Sequence, residues 1–266
     1  MAAVDPGARD RLAAVVREAG ALALETFREP ELRRWIKGQS SPVSDADIAV
    51  DKLLRERLAD VMPADGWLSE ETEDDPSRLD AEAVWIVDPI DGTRSYLDGR
   101  EDWCVSVALA ARGRPVLAAV FAPATEEMFL AIEGGGSTLN GQRITVTAGE
   151  TIDGAKIAGP KRIQDAVAKL HPQVVPLPRI GALALRLARI AHGGVDISFA
   201  GPRSHDWDLA AADLLVHEAG GLLTGLDGEP LVYNRPDPRH GALIAAGRSR
   251  HQTILNFLRE RGVKWT

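Results

Sequence analysis

The amino-acid sequence predicts a layered α/β fold, with a mainly antiparallel sheet in its first half and a second, mixed sheet after it. Three observations predict this. Two amphipathic helical patterns open the chain, apolar strand-like segments joined by tight turns fill residues 84–147, and strand-like and helix-like segments alternate beyond residue 154. The composition shifts around residues 150–154 without a flexible linker, so the chain divides into an N-terminal α+β half, 1–150, and a C-terminal α/β half, 151–266.

Leu12, Val15, Val16, Ala19, Leu22, Ala23 and Phe27 recur at helical spacing and predict a first helix over residues 8–28. Residues 39–44 read as a loop. Ser44, Asp45 and Asp47 supply the hydroxyl and acidic groups that open a second helix, running to about residue 60. A turn at 62–66 leads to a short strand at Trp67 and Leu68 and then to an acidic stretch. The β-branched segment 84–87 is a buried strand ending at Asp88 and Pro89. Residues 104–110 and 115–121 pair antiparallel around Arg112-Gly113-Arg114, and strands at 128–132 and 143–147 follow, with turns at Gly134-Gly135-Gly136 and Asn140-Gly141 between them. The second half reads as a strand at 156–158, a helix near 164–170, a loop at 171–178 and a helix over 182–191. It continues with a strand at 195–199, a helix over 208–219, strands near Leu222 and at 243–246, and a final helix over 249–261.

A net charge of -8 argues against a nucleic-acid polymer or an anionic membrane as partner, because either needs a basic face. It leaves a phosphorylated small molecule open, since carboxylates that hold divalent cations reverse the local field. The single cysteine, Cys104, excludes an internal disulfide and fits a reducing compartment. Residues 1–6 lack the basic and apolar regions of a signal peptide, and the apolar stretch 103–123 is broken by Arg112 and Arg114. A cytoplasmic protein without a membrane segment is the expectation.

The strongest chemical signal is Trp85-Ile86-Val87-Asp88-Pro89-Ile90-Asp91-Gly92-Thr93. An apolar strand runs straight into two carboxylates, Asp88 is held extended by the proline after it, and Gly92 removes a side chain where a ligand can approach the backbone. Asp88 and Asp91 are placed to hold cations while the amides of Gly92 and Thr93 face an anion. A second signal, His205-Asp206-Trp207-Asp208, sets Asp208 in the first turn of an alanine-rich helix that stops at Gly220-Gly221. Alone, Asp208 reads as a capping residue; beside the first motif it reads as a third metal carboxylate. Glu70, in Ser69-Glu70-Glu71, follows a short apolar strand and projects toward a cleft, while the rest of that acidic run reads as solvated loop.

Ser41-Pro42-Val43-Ser44-Asp45-Ala46-Asp47, Ser69-Glu70-Glu71, Asp88-Pro89-Ile90-Asp91-Gly92-Thr93 and Trp207-Asp208 together resemble the inositol monophosphatase family of lithium-sensitive phosphatases, over nearly the whole chain. The resemblance implies a sugar-phosphatase-like α-β-α-β-α sandwich with the site between its two halves. It implies two or three Mg2+ ions, the first held by Glu70, Asp88 and the Ile90 carbonyl and the second by Asp88, Asp91 and Asp208. Thr93, hydrogen-bonded to Asp47, would orient the attacking water with Glu70. Asp51 is a nearby helix acid with no counterpart carried over. The absence of a histidine or cysteine cluster favours magnesium over zinc. Relatives in this family are often dimers, so a homodimer is implied as possible.

The substrate is read less directly. Gly201 stands where animal inositol monophosphatases carry an acid that contacts inositol hydroxyls. The chain instead looks like the bacterial 3'(2'),5'-bisphosphate nucleotidase branch of sulfur assimilation, which converts 3'-phosphoadenosine 5'-phosphate to AMP. Inositol 1-phosphate is the alternative, with histidinol phosphate or a sugar bisphosphate behind it. Gly92, Thr93, Asp91, Asp208 and Gly181 are expected to face the substrate, the last through amides at a helix start. Arg203 and Lys161, the latter read at a strand end, are candidates for a second phosphate or else solvated bases. Trp207 and His217 are expected to pack, and Cys104 to be inert core.

Overall fold

The computed structural model describes residues 5, 7–29, 32–37 and 41–261. The stretch read for a signal peptide, 1–6, lies outside them apart from Asp5. The helices are α1 (Ala8–Thr26), α2 (Asp45–Val61), α3 (Thr93–Leu97), α4 (Lys161–Leu170), α5 (Leu183–Ala188), α6 (Asp206–Glu218) and α7 (Arg248–Arg261). The strands are β1 (Arg34–Lys37), β2 (Ser41–Ser44), β3 (Gly66–Ser69), β4 (Ala83–Asp91), β5 (Cys104–Ala111), β6 (Arg114–Ala122) and β7 (Glu127–Ile132). They continue as β8 (Gly136–Leu139), β9 (Gln142–Ile144), β10 (Lys156–Ala158), β11 (Val175–Pro176), β12 (Ile197–Ala200), β13 (Gly221–Gly225) and β14 (Leu243–Gly247).

Seven strands, β3 to β9, lie side by side in chain order and form the first sheet, antiparallel except for the parallel pair β3–β4. The second sheet has the order β11-β10-β12-β14-β13 and mixes parallel with antiparallel neighbours. Each sheet is buried on both faces. Along β4, Val84 and Ile86 point to one core while Trp85 and Val87 point to another, the alternation a pleated strand imposes. The outer core joins the first sheet to α1 and α2, and the central core joins it to α5 and α6. In β14, Leu243 and Ala245 enter that central core, whereas Ile244 and Ala246 face a third core with α4 and α7. The layers are therefore α-β-α-β-α.

Several elements differ from the sequence reading. The loop at 39–44 is instead the strand β2 over its last four residues, paired with β1, and residues 39 and 40 lie outside the described residues. The polar segment β8 fills the space between the two predicted turns, and β9 ends at Ile144 rather than at 147. The strand expected to stop at Asp88 continues through Pro89 to Asp91, with a register irregularity against β5 between Asp88 and Asp91. Asp88 pairs with Ser106 and Asp91 with Cys104, so β4 spends an extra residue there, and the proline removes one ladder donor. This bulge turns both carboxylates toward the second half of the chain.

Candidate active site

The site is assembled at the end of β4 from four separate stretches of chain. Asp88, Asp91 and Asp208 each offer a carboxylate oxygen within 4.8 Å of the others. Glu70 lines the same cavity, of about 440 Å³, together with Gly92, Thr93 and Gly181. The bulge presents Asp88 and Asp91; the first turn of α6 presents Asp208; the turn after β3 presents Glu70.

The same helix-capping geometry fixes two of the acids. Asp47, in the first turn of α2, accepts bonds from the Ser44 amide at 2.8 Å and the Ser44 hydroxyl at 2.6 Å through one oxygen. Its other oxygen accepts from the Thr93 hydroxyl at 3.3 Å. Asp208, in the first turn of α6, accepts from the His205 amide at 2.6 Å. Such a cap stabilises a helix by about 1 kcal/mol and leaves one carboxylate oxygen aimed elsewhere. Thr93 Oγ also lies 3.0 Å from the Ile90 carbonyl. It has one hydrogen to donate, and the carboxylate is the stronger acceptor.

Asp91 Oδ2 accepts from the Ala184 amide at 2.5 Å, so the start of α5 is tied to a site acid. Burial nonetheless pushes the Asp91 carboxyl up to about 6, against the lowering effect of the Ala184 and Leu183 amides. Burial drives Asp88 well above the usual carboxylate range, reinforced by the charges of Glu70, Asp91 and Asp208. Asp208 is raised well above it too, by burial and then by Asp91. Asp88 Oδ1 is buried and has no hydrogen-bond partner among the described residues. An orphaned buried carboxylate oxygen within a group of mutually repelling acids fits a divalent cation, and an all-oxygen donor set fits magnesium.

The profile of the inositol monophosphatase family matches residues 9–262. The chain belongs to the inositol monophosphatase family. The inositol-1-monophosphatase of Rhizobium meliloti (strain 1021) is 35% identical over 224 residues, covering 81% of this chain and 84% of the relative. The histidinol-phosphatase of Mycobacterium tuberculosis (strain ATCC 25618 / H37Rv) is 32% identical over 270 residues, covering 92% and 95%. Among solved structures, extragenic suppressor protein suhB from Bartonella henselae superimposes with a TM-score of 0.82 at 27% identity, covering 94% of this chain and 98% of that one. An IMPase/NADP phosphatase structure gives 0.83 at 22% identity with 97% of both chains covered, a likeness of fold. This chain is thus a phosphatase of that family.

Not every residue expected to meet a family substrate does so. Gly181 lines the cavity, but its amide donates to Asp102 Oδ2 at 2.5 Å. Lys161 is the first residue of α4, not a strand end; its side chain is 83% exposed and pairs with Asp165 one turn on. Arg203 is exposed in a left-handed turn (φ 81°), its amide donating to the His240 carbonyl at 2.8 Å. Neither base lines the cavity. Three arginines that were not singled out do so: Arg94, Arg100 and Arg179. Arg94 follows the motif directly and was open to a sequence reading. Arg100 and Arg179 come from loops distant in sequence; Arg100 is braced by Asp102 at 2.6 and 3.0 Å and by the Arg179 carbonyl at 3.4 Å. His217, expected to pack, is exposed, while the Trp207 ring stacks on His205 at 4.4 Å. Cys104 is buried, and burial pushes its thiol well up. No helix among the described residues is long and apolar enough to cross a membrane.

Proposed function

We propose that the protein is a magnesium-dependent phosphomonoesterase whose substrate is a small phosphate ester, with 3'-phosphoadenosine 5'-phosphate, giving AMP, as the first candidate. The observation that carries the phosphomonoesterase reading is the convergence of Asp88, Asp91 and Asp208 within 4.8 Å beside the Thr93 hydroxyl. Glu70, Asp88 and the Ile90 carbonyl would hold one ion, and Asp88, Asp91 and Asp208 a second. When bound, magnesium neutralises the phosphate oxygens and makes water a stronger nucleophile at neutral pH.

The chain's own groups supply the rest. Asp47 takes the Thr93 hydrogen, which turns a Thr93 lone pair toward the cavity as acceptor for a proton of the attacking water. Glu70, which lines the same cavity, offers a second acceptor, so the water would be held with its own lone pair toward phosphorus. The Gly92 and Thr93 amides at the start of α3 face the phosphate oxygens. Gly92 is required there, because its φ is +88° and a Cβ would lie 3.1 Å from the Ala182 amide nitrogen and the Asp102 carbonyl. The reaction needs positioning and charge rather than a covalent intermediate.

One observation favours a bis-anionic substrate: Arg94, Arg100 and Arg179 line the cavity alongside the carboxylates. Inositol 1-phosphate is the second reading, favoured by the 35% identity to the Rhizobium meliloti inositol-1-monophosphatase. Phosphate release from a panel of adenosine bisphosphate, inositol 1-phosphate, histidinol phosphate and a sugar bisphosphate, with and without Mg2+, tests both levels. Turnover of none of them, with the metal present, sinks the phosphatase proposal. Faster turnover of inositol phosphate than of the adenosine bisphosphate replaces the first candidate by the second.

A further inference from the structure

Asp51 is a buried carboxylate that neither the metal cradle nor the proposed chemistry uses. It sits on α2 one helical turn beyond Asp47, so both side chains leave the same face of the helix. Its Oδ1 accepts from the Ser69 hydroxyl, and its Oδ2 accepts from the Thr72 hydroxyl at 2.7 Å. Those two residues bracket Glu70 and Glu71. Ser69 Oγ in turn accepts from the Glu71 amide at 3.2 Å, and Thr72 Oγ accepts from the Trp67 indole at 3.3 Å. On its other side, the Glu70 amide donates to the Val87 carbonyl at 3.2 Å, next to Asp88.

We propose that Asp51 is a positioning residue that holds the turn 69–72 closed and so fixes Glu70 in the divalent-cation cradle. The inference rests on the phosphatase reading of the site. Its physical need is clear from charge: Glu70 repels Asp88 and Asp208, and Glu71, Glu73 and Asp75 after it add more negative charge to a partly exposed loop. Left to itself, such a turn relaxes outward when no cation is present. Two hydroxyls anchored on one buried carboxylate oppose that relaxation, and the site is preorganised before the ion arrives. α2 thereby sets two elements of the chemistry from successive turns: Thr93 through Asp47, and Glu70 through Asp51.

The test uses the full-length chain and its variants Asp51→Asn, Thr72→Val and Thr72→Ser. Mg2+ binding is measured by titration calorimetry, and the thermal midpoint is recorded in EDTA. An amide in place of Asp51 can accept from only one of the two hydroxyls. The Mg2+ dissociation constant is expected to rise about tenfold or more in Asp51→Asn and in Thr72→Val, the scale for groups that orient a metal ligand, and to recover in Thr72→Ser. A purely structural Asp51 lowers the EDTA midpoint without weakening Mg2+ binding, and that result overturns the inference. So does a Thr72→Ser protein as weak as Thr72→Val. If Asp51→Asn does not fold, the Thr72 pair decides alone. A wild-type chain that neither binds Mg2+ nor releases phosphate from any ester overturns the phosphatase reading itself, a result distinct from unchanged binding in the variants.

Discussion

Replacing Asp91 by Asn separates what the acidic cluster does for the fold from what it does for the reaction. Asp91 is 7% exposed, and its carboxyl is raised from 3.8 to about 6. A folded value above the unfolded one means that the native state keeps a proton which the unfolded chain has already lost. Between these two pH values the native state binds more protons, so stability contributed by this group declines as pH rises through the window and stays lost above it. The shift is roughly two units at about 1.4 kcal/mol each, so ionised Asp91 costs the metal-free fold up to about 3 kcal/mol at neutral pH. Asn keeps an oxygen for the Ala184 amide and carries no charge. In EDTA at neutral pH the variant is expected to melt higher than wild type, by roughly 6–12 °C at most for a chain of this size. Mg2+ at a hundredfold its dissociation constant adds about 2.7 kcal/mol to wild type and less to the variant, so the gap between the two narrows. Phosphate release is lost in the variant. Differential scanning fluorimetry from acid to neutral pH, with EDTA or Mg2+, reads all of this. A lower midpoint for Asp91→Asn in EDTA, or equal Mg2+ stabilisation of both proteins, refutes the argument.

Thr93→Ala removes the proposed water acceptor and is expected to lower turnover about 100- to 10,000-fold with the Mg2+ dissociation constant little changed; turnover near wild type rejects that role for Thr93. Gly92→Ala places a Cβ 3.1 Å from two backbone atoms at φ +88°. Thermal unfolding should register a loss of about 1–2 kcal/mol from the left-handed backbone alone. Arg78, 1% exposed, joins Asp74 to Asn234 and the Arg235 carbonyl and so ties the acidic loop to the second half of the chain. Arg78→Met is expected to cost about 1–3 kcal/mol in denaturant unfolding, because Asn234 and the Arg235 carbonyl lose their donor while Asp74, 42% exposed, stays solvated. Lys161→Ala and Arg203→Ala should each change stability by less than about 0.5 kcal/mol and leave substrate selectivity unaltered, which steady-state kinetics on the ester panel checks.

The legible part of the site was local. Asp88, Asp91, Gly92 and Thr93 lie within one strand-to-helix corner, where a proline and a glycine restrict the backbone whatever surrounds them. Asp47 and Asp208 each stand three residues beyond a capping position, a spacing that announces a helix start and an anchored carboxylate at once. The parts that were missed depend on packing. β8, Gly136–Leu139, is too polar to announce a strand, yet Ser137 is fully buried and donates to the Leu215 carbonyl at 2.7 Å on α6. Lys161 was misjudged because a base at a segment boundary does not reveal which way its helix will face.

By itself the sequence determined the layered class, most of the elements in their order and the candidate acids, read from periodicity, capping and turn chemistry within a few residues together with the family resemblance of its motifs. Tertiary structure alone decided that the bulge in β4 aims Asp88 and Asp91 at Asp208, that Asp51 closes the turn carrying Glu70, and that Arg94, Arg100 and Arg179 share the cavity with them. Most of those meetings join residues tens of positions apart. They are set by how two sheets and the helices between them pack, which no local pattern encodes.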